Sequence, residues 1–225
     1  MITRLVVQTT LWLALTAVLM FGAAGSIAWL AGWCYLLELG VLSVWVGLSL
    51  AKHDPALLEE RLKPIFQRGQ GRWDKVFMMA VLIVWHAWLV LMALDARRFG
   101  WSSVPPWLSV AGAVFIFLCL WITGFVFRAN SFAAPVVKIQ RERGHKVVDT
   151  GPYAWVRHPM YSAAIFIFVG TPLLLGSWWG LVCVPLLIAG IGWRAVMEER
   201  TLIAQLPGYA QYAARVRYRL VPWVW

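Results

Sequence analysis

Residues 160–197 read MYSAAIFIFVGTPLLLGSWWGLVCVPLLIAGIGWRAVM, an apolar run whose only formal charge is Arg194. A bilayer core about 30 Å thick takes about 20 apolar residues of helix, so this run is too long for one straight crossing. Gly176-Ser177 interrupts it near the middle, and glycine is the residue that permits a sharp reversal. The run therefore reads as a tight helical hairpin with arms at 161–175 and 178–197. The first arm is short for a full crossing, which points to tilt or to shielding by neighbouring helices.

Working outward, four further segments are long and apolar enough to span: 5–24, 27–51, 76–94 and 107–127. The first exceeds the apolar region of a signal peptide, usually about 7–15 residues, and reads as a retained span. Composition agrees with this count. The chain has 225 residues, of which 61% are hydrophobic and 13% charged, against about 45–50% and about 25% in soluble globular proteins. The mean hydropathy of +0.71 cannot be hidden inside a 25.5 kDa globule, which has too much surface to keep wet. The expected fold class is all-α, a polytopic transmembrane protein of about six membrane segments, the last two forming the hairpin. Residues 1–127 would supply the N-terminal helices, and 128–225 a C-terminal region of loop, hairpin and tail. Cys34, Cys119 and Cys183 each lie in an apolar stretch without metal or disulfide spacing, so buried free thiols are expected.

The net charge of +10 is distributed unevenly. Of the 20 Lys and Arg residues, only Arg97 and Arg98 fall in the loop between the third and fourth spans, while the other 18 fall at the opposite ends. The positive-inside rule then puts both termini and both long loops in the cytoplasm, as in a multi-pass protein of a bacterial inner (plasma) membrane. Trp29, Trp33, Trp101, Trp107, Trp178 and Trp179 cluster at the opposite turns and suggest an aromatic belt there, the alternative for any one of them being plain packing. The bases are thus an orientation signal and an attraction for anionic lipid. They sit between apolar runs rather than in solvated stretches, so disorder and nucleic-acid binding are excluded.

Chemistry must be built from the basic loops and the helix ends beside them. Gly144-His145-Lys146-Val147-Val148-Asp149-Thr150-Gly151-Pro152-Tyr153-Ala154-Trp155-Val156-Arg157-His158-Pro159-Met160-Tyr161 is the densest cluster. Gly151-Pro152 marks a turn, and Pro159 suits the first helical position. Arg157 and His158 then stand at the donor-rich start of the hairpin, a ready site for a carboxylate or phosphate. The alternative for Arg157 is an anchor on lipid phosphate. Further on, Arg194 and Glu198 are four apart and share a helix face, where they can pair. Glu199 points about 100° away and is left free for a hydroxyl or amino group; the alternative is a mixed-charge rim where the helix reaches water. The tail 206–223 mixes bases with aromatics and reads as an interfacial amphipathic helix or as a cover for a bound cofactor. Asn130 reads as a cap or ligand contact. Glu38 and His86, inside spans, are packing residues or functional ones. His53, His86, His145 and His158 lack metal-ligand spacing, and no metal is expected.

The lead-in Ile139-Gln140 and Arg143-Gly144-His145, then Gly151-Pro152-Tyr153 with Arg157-His158-Pro159-Met160-Tyr161, Glu198-Glu199 with Leu202, and Pro207-Gly208-Tyr209 through Pro222 are similar in order and spacing to one family. The chain resembles the isoprenylcysteine carboxyl methyltransferase and phospholipid methyltransferase superfamily, over roughly its C-terminal half. Ala163 departs from it, since these proteins often have Gly two residues after the Tyr. The resemblance implies S-adenosylmethionine as methyl donor and a lipophilic acceptor: an isoprenylcysteine-like carboxylate, a lipid amine or a thiol. It implies that His145, Val147, Gly151, Tyr153, Arg157, His158, Tyr161, Glu198 and Glu199 line the cofactor site, with Arg157, Glu198 and Glu199 in the catalytic role. Two other classes stay open at this point: a membrane oxidoreductase of the sterol-reductase type using a reduced nicotinamide, and a non-catalytic membrane subunit or transporter.

Overall fold

The computed structural model describes residues 1–225, in which helices are joined by turns and irregular segments without any strand. The first four expected spans appear as α1 (Ile2–Ala24), α2 (Leu30–His53), α4 (Arg72–Ala93) and α5 (Pro106–Ala129), with a short α3 (Pro55–Arg61) after α2. Asp54 ends α2 and caps α3, its carboxylate accepting from the Leu57 amide at 2.9 Å. Each span runs a few residues past its apolar sequence because polar residues such as Lys52, Arg72 and Arg128 continue the helix into the interface.

The hairpin is present as α6 (Pro159–Leu175), α7 (Trp178–Val182) and α8 (Val184–Gln205), followed by α9 (Tyr209–Arg215) in the tail. Gly176 closes α6 with φ of 84°, a conformation that favours glycine. Ser177 starts the return, its hydroxyl accepting from the Gly180 amide at 2.9 Å. The second arm differs from the single helix expected over 178–197. It breaks after Val182, because Pro185 has no amide to give the Leu181 carbonyl, and then continues to Gln205. Residues Trp178–Gln205 number 28 and reach about 42 Å at 1.5 Å per residue, longer than the hydrocarbon core. Their polar end, with Glu198 and Glu199, is thereby carried to the basic face.

Five helical stretches are long and apolar enough to cross a membrane, and α6, at 17 residues, is the sixth membrane segment. Its short length is accommodated by enclosure, since α2, α4, α5 and α8 all pack on it. Gly112 of α5 and Gly170 of α6 let the two backbones touch: a β-carbon on Gly112 would lie 2.4 Å from the Leu174 amide nitrogen. Met20, Tyr35, Leu89, Met92, Ile116 and Leu175 form the fully buried centre. Leu11, Val18, Leu37, Val110 and Leu186 point outward with about two thirds or more of their surface exposed, an arrangement that hydrocarbon satisfies and water does not. The chain is an integral, multi-pass membrane protein.

The two ends of the bundle differ chemically. At the basic end Arg4 and Gln8 of α1 donate to the Leu62 carbonyl, and Arg61 donates to the Ala133 carbonyl at 2.8 Å. The start of α1, the α3 loop and the loop after α5 therefore share one face. At the other end Asp95, fully buried in a π-helical turn (Leu94–Phe99), accepts from Ser102 Oγ at 2.6 Å and Ser177 Oγ at 2.5 Å. It binds the end of α4 to the hairpin turn. Trp33, Trp101, Trp107, Trp178 and Trp179 are exposed there, whereas Trp29 packs into the core against Phe21. Cys119 is a buried free thiol as expected; Cys34 is also free but exposed, facing outward from α2. His86 is buried and bonded to the Leu82 carbonyl of its own helix at 2.8 Å.

The glycine crossing yields a paired test. Gly112→Ala should destabilise the protein by about 1–3 kcal/mol through overpacking and lower its melting temperature in detergent by several degrees. Gly190→Ala, with nothing within 4 Å of its β-carbon, should not lower it. Equal melting of the two variants would contradict the close α5–α6 contact.

Candidate active site

At the basic face the loop 130–158, the inner end of α8 and the tail surround an open cavity whose enclosed space is about 90 Å³. Asn130 ends α5 and orders the entrance. Its side-chain oxygen accepts from the Phe132 amide at 2.8 Å, and its amide donates to the Tyr153 hydroxyl at 2.9 Å. Gln140, fully buried, accepts from Arg143 Nη1 at 2.5 Å and donates to the Phe132 carbonyl at 2.9 Å. The loop is thus held by its own polar side chains, as an irregular buried segment must be.

His145 stacks on Phe132 with ring centres 4.5 Å apart, and its Nδ1 accepts from the Gln140 amide at 3.3 Å. An accepting Nδ1 leaves Nε2 carrying the hydrogen of a neutral ring. Burial, reinforced by the Arg143 charge, holds the imidazole pKa below its usual value, against a weaker pull from Glu198 and Glu142.

The two adjacent carboxylates have different fates. Glu199 is buried and does not line the cavity. Its Oε1 accepts from Arg157 Nε at 2.6 Å and lies 3.1 Å from His158 Nε2, while Oε2 accepts from Arg219 Nε at 2.9 Å and Arg157 Nη2 at 3.3 Å. The expectation of a free Glu199 is therefore corrected: the anion that fills the donor-rich start of the hairpin is the chain's own. Glu198 does face the cavity, with Oε2 accepting from the Tyr161 hydroxyl at 2.6 Å. Nor does Glu198 pair with Arg194 one turn away. Arg194 is drawn to Asp74, which is fully buried in α4 and needs a counter-charge; they meet at 3.0 Å.

Arg157 also gathers the tail. Its Nη1 donates to the carbonyls of Ala213 at 3.0 Å, Val216 at 2.9 Å and Arg217 at 3.3 Å. The Arg157 and His158 amides donate to the carbonyls of Tyr218 and Arg219, each at 2.9 Å. The tail is folded over the site, and α9 closes it with Tyr209 and Tyr212. The Tyr212 hydroxyl donates to the Tyr153 carbonyl at 2.8 Å. The Tyr209 hydroxyl is buried without any partner, and burial, then the nearby carboxylates, push its pKa upward.

Of the residues singled out by sequence, His145, Val147, Tyr153, Arg157, His158, Tyr161 and Glu198 line the cavity; Gly151 and Glu199 do not. Gly151 instead begins a short 3₁₀ turn (Gly151–Ala154) with φ of 59°, shaping the chain that carries Tyr153. Sequence reasoning did not single out Phe132, Lys138 or Tyr209 individually as wall residues. Tyr209 had a signal, its place in the Pro-Gly-Tyr motif; Phe132 had none.

Arg157→Lys keeps the charge but cannot serve Glu199 and three carbonyls together. Losing bonds to a charged donor, about 1.5–3 kcal/mol, should free the tail, and trypsin should cut at Arg215–Arg219 about tenfold faster or more. Unchanged cleavage would contradict this clamp. His145 predicts an acid limb of stability. As pH falls below about 6.5, the unfolded chain takes a proton that the folded ring refuses, so stability declines until the depressed folded pKa is passed. His145→Gln should flatten the fall in melting temperature between pH 7 and pH 5; parallel profiles would remove His145 as its cause.

Residues 107–207 match the family described as phospholipid methyltransferase. Protein-S-isoprenylcysteine O-methyltransferase B of Arabidopsis thaliana is 34% identical over 121 residues, covering 49% of this chain and 57% of that protein. The Schizosaccharomyces pombe protein-S-isoprenylcysteine O-methyltransferase is 25% identical over 179 residues, 71% of this chain and 76% of that protein. For the Homo sapiens protein of the same name the values are 35% over 71 residues, 31% and 25%. The chain spans little more than half the length of the Arabidopsis relative, 57%, and 25% of the human one. Residues 107–207, which build much of the cavity, are thus similar to the phospholipid methyltransferases and the isoprenylcysteine O-methyltransferases.

Proposed function

We propose that this protein is an integral membrane methyltransferase that moves a methyl group from S-adenosylmethionine to a lipophilic acceptor, an isoprenylcysteine-like carboxylate, a lipid amine or a thiol. The observation that carries the reading is the Glu198 carboxylate, half satisfied by Tyr161, in a cavity at the basic ends of membrane helices. The basic face is the cytoplasmic one by the positive-inside rule, with both termini on that side.

The wall residues fit this donor. Glu198 has one oxygen without a protein partner, suited to ribose hydroxyls or an ammonium group. The Nε2 hydrogen of His145 and the ammonium of Lys146 are donors for a carboxylate. Tyr209 brings an unpartnered buried hydroxyl, which a bound polar molecule would satisfy. Tyr209 and Tyr212 bring aromatic rings to the wall, a type of group that stabilises a cation.

S-adenosylmethionine, when bound, supplies an electrophilic methyl on a positively charged sulfur. The protein's part is positioning and the exclusion of water. Ala133, Val136, Val137, Val147, Met160 and Leu202 make much of the wall apolar, and the tail held by Arg157 covers it. Glu199 acts through this cover, because its charge fixes Arg157. A carboxylate acceptor attacks without losing a proton, whereas a protonated amine or a thiol must give one up first.

Calorimetry on purified protein tests the reading, with S-adenosylmethionine and a reduced nicotinamide titrated separately. The first should bind, and Glu198→Gln should weaken it about tenfold, the loss expected of a bond to a charged group. Binding of the nicotinamide alone would overturn the reading, and unchanged affinity in the variant would remove Glu198 from the donor's contacts.

A further inference from the structure

Asp74 lies on the first turn of α4, outside the stretch 107–207 that matches the family, and is fully buried. A carboxylate sealed from water persists only with compensation, and the partners of this one come from three separate segments. Its Oδ2 accepts from Gln70 Nε2 at 2.7 Å, in the preceding loop, and from the Val137 amide at 2.9 Å, in the cavity wall. Its Oδ1 lies 3.0 Å from Arg194 Nη2 on α8.

Arg194 carries the connection further. The same Nη2 donates to the Pro135 carbonyl at 2.6 Å, so the wall segment 135–137 is gripped by both members of the ion pair. The guanidinium carbon stands 5.8 Å from the centre of the Tyr161 ring, on the face that attracts cations. The Tyr161 hydroxyl in turn holds Glu198. A single carboxylate from the N-terminal helices thus fixes the loop wall on one side of the cavity and the Arg194–Tyr161–Glu198 chain on the other. Asp74 is not itself among the cavity-lining residues.

We infer that Asp74 is a positioning residue for methyl-donor binding, acting through Arg194 and the Val137 amide, so that the N-terminal helices determine the geometry of a site whose motifs all lie in the C-terminal half. The inference rests on the S-adenosylmethionine reading given above. Loss of the charge leaves Arg194 without its counter-ion and lets segment 135–137 drift, which widens the cavity where Glu198 must meet the donor.

The test uses full-length protein in detergent or nanodiscs with Asp74→Asn, which preserves size. In the absence of any ligand, hydrogen exchange at the Val137 amide should rise at least about tenfold while amides of the α5–α6 contact keep their protection. The calorimetric Kd for S-adenosylmethionine should rise about tenfold, as should its KM, with kcat changed by less than about threefold; a merely structural role would lower the active fraction at unchanged KM. Asp74→Glu should recover part of the affinity. Should Asp74→Asn fail to fold, Gln70→Met removes one donor and leaves the ion pair, and is expected to raise Kd about threefold. Wild-type affinity in the folded variants overturns the assignment of Asp74 alone, whereas wild-type protein that does not bind S-adenosylmethionine overturns the methyl-donor reading and this inference with it.

Discussion

Glu199 is a carboxylate with 5% of its surface exposed, on the inner half of a helix whose stretch 184–193 is entirely apolar. Such a group is tolerated only when cations and donors surround it. Here they come from Arg157 and His158 at the start of α6 and from Arg219 in the tail. The pairing makes three segments distant in sequence meet at one point. The bonds of Arg157 to the carbonyls of Ala213, Val216 and Arg217 follow, because a guanidinium fixed on one edge by a carboxylate offers its other edge at a set direction. Without Glu199 the tail would lose its ion pair at Arg219 and the charge that fixes Arg157.

The neighbouring glutamate shows how one residue of rotation on a helix changes chemistry. Glu198 is one step, about 100°, around α8, and it faces space where Glu199 faces cations. Its hydrogen-bond donor is the Tyr161 hydroxyl, which leaves one oxygen open to whatever occupies the cavity. Arg194, which helix spacing offers as its partner, is committed to Asp74 instead. The competition is decided by burial, since an uncompensated charge is more unfavourable at fully buried Asp74 than at partly exposed Glu198.

The site also sits at a boundary that membrane helices create. Pro159 lets α6 begin where the loop ends, and α8 runs on past the apolar core, so their polar ends form a shelf beside the basic loops. Under the proposed function, an amphiphile held by its apolar part in the bilayer would meet that shelf without leaving the membrane, while a charged, water-soluble donor would reach it from the other side. The glycine contact draws α5 and α6 together toward their other ends, while Asn130 ties the end of α5 to Tyr153 beside the shelf.

The membrane fold was legible from sequence because hydropathy over about 20 residues is a local property that no distant contact reverses. Chain order and charge asymmetry likewise gave the spans, the hairpin at Gly176-Ser177 and the face on which chemistry had to lie. The break at Pro185 was written in the sequence too, but a proline near an interface looks the same whether it bends a helix or starts one. What only the tertiary structure decided was partnership. Helical spacing says that Arg194 reaches Glu198 and that Glu199 points elsewhere, yet it says nothing of Asp74, Arg157 or Arg219 arriving from other segments. Ion pairing in a dry interior is a competition among all charges within reach, and that set exists only once the chain has folded.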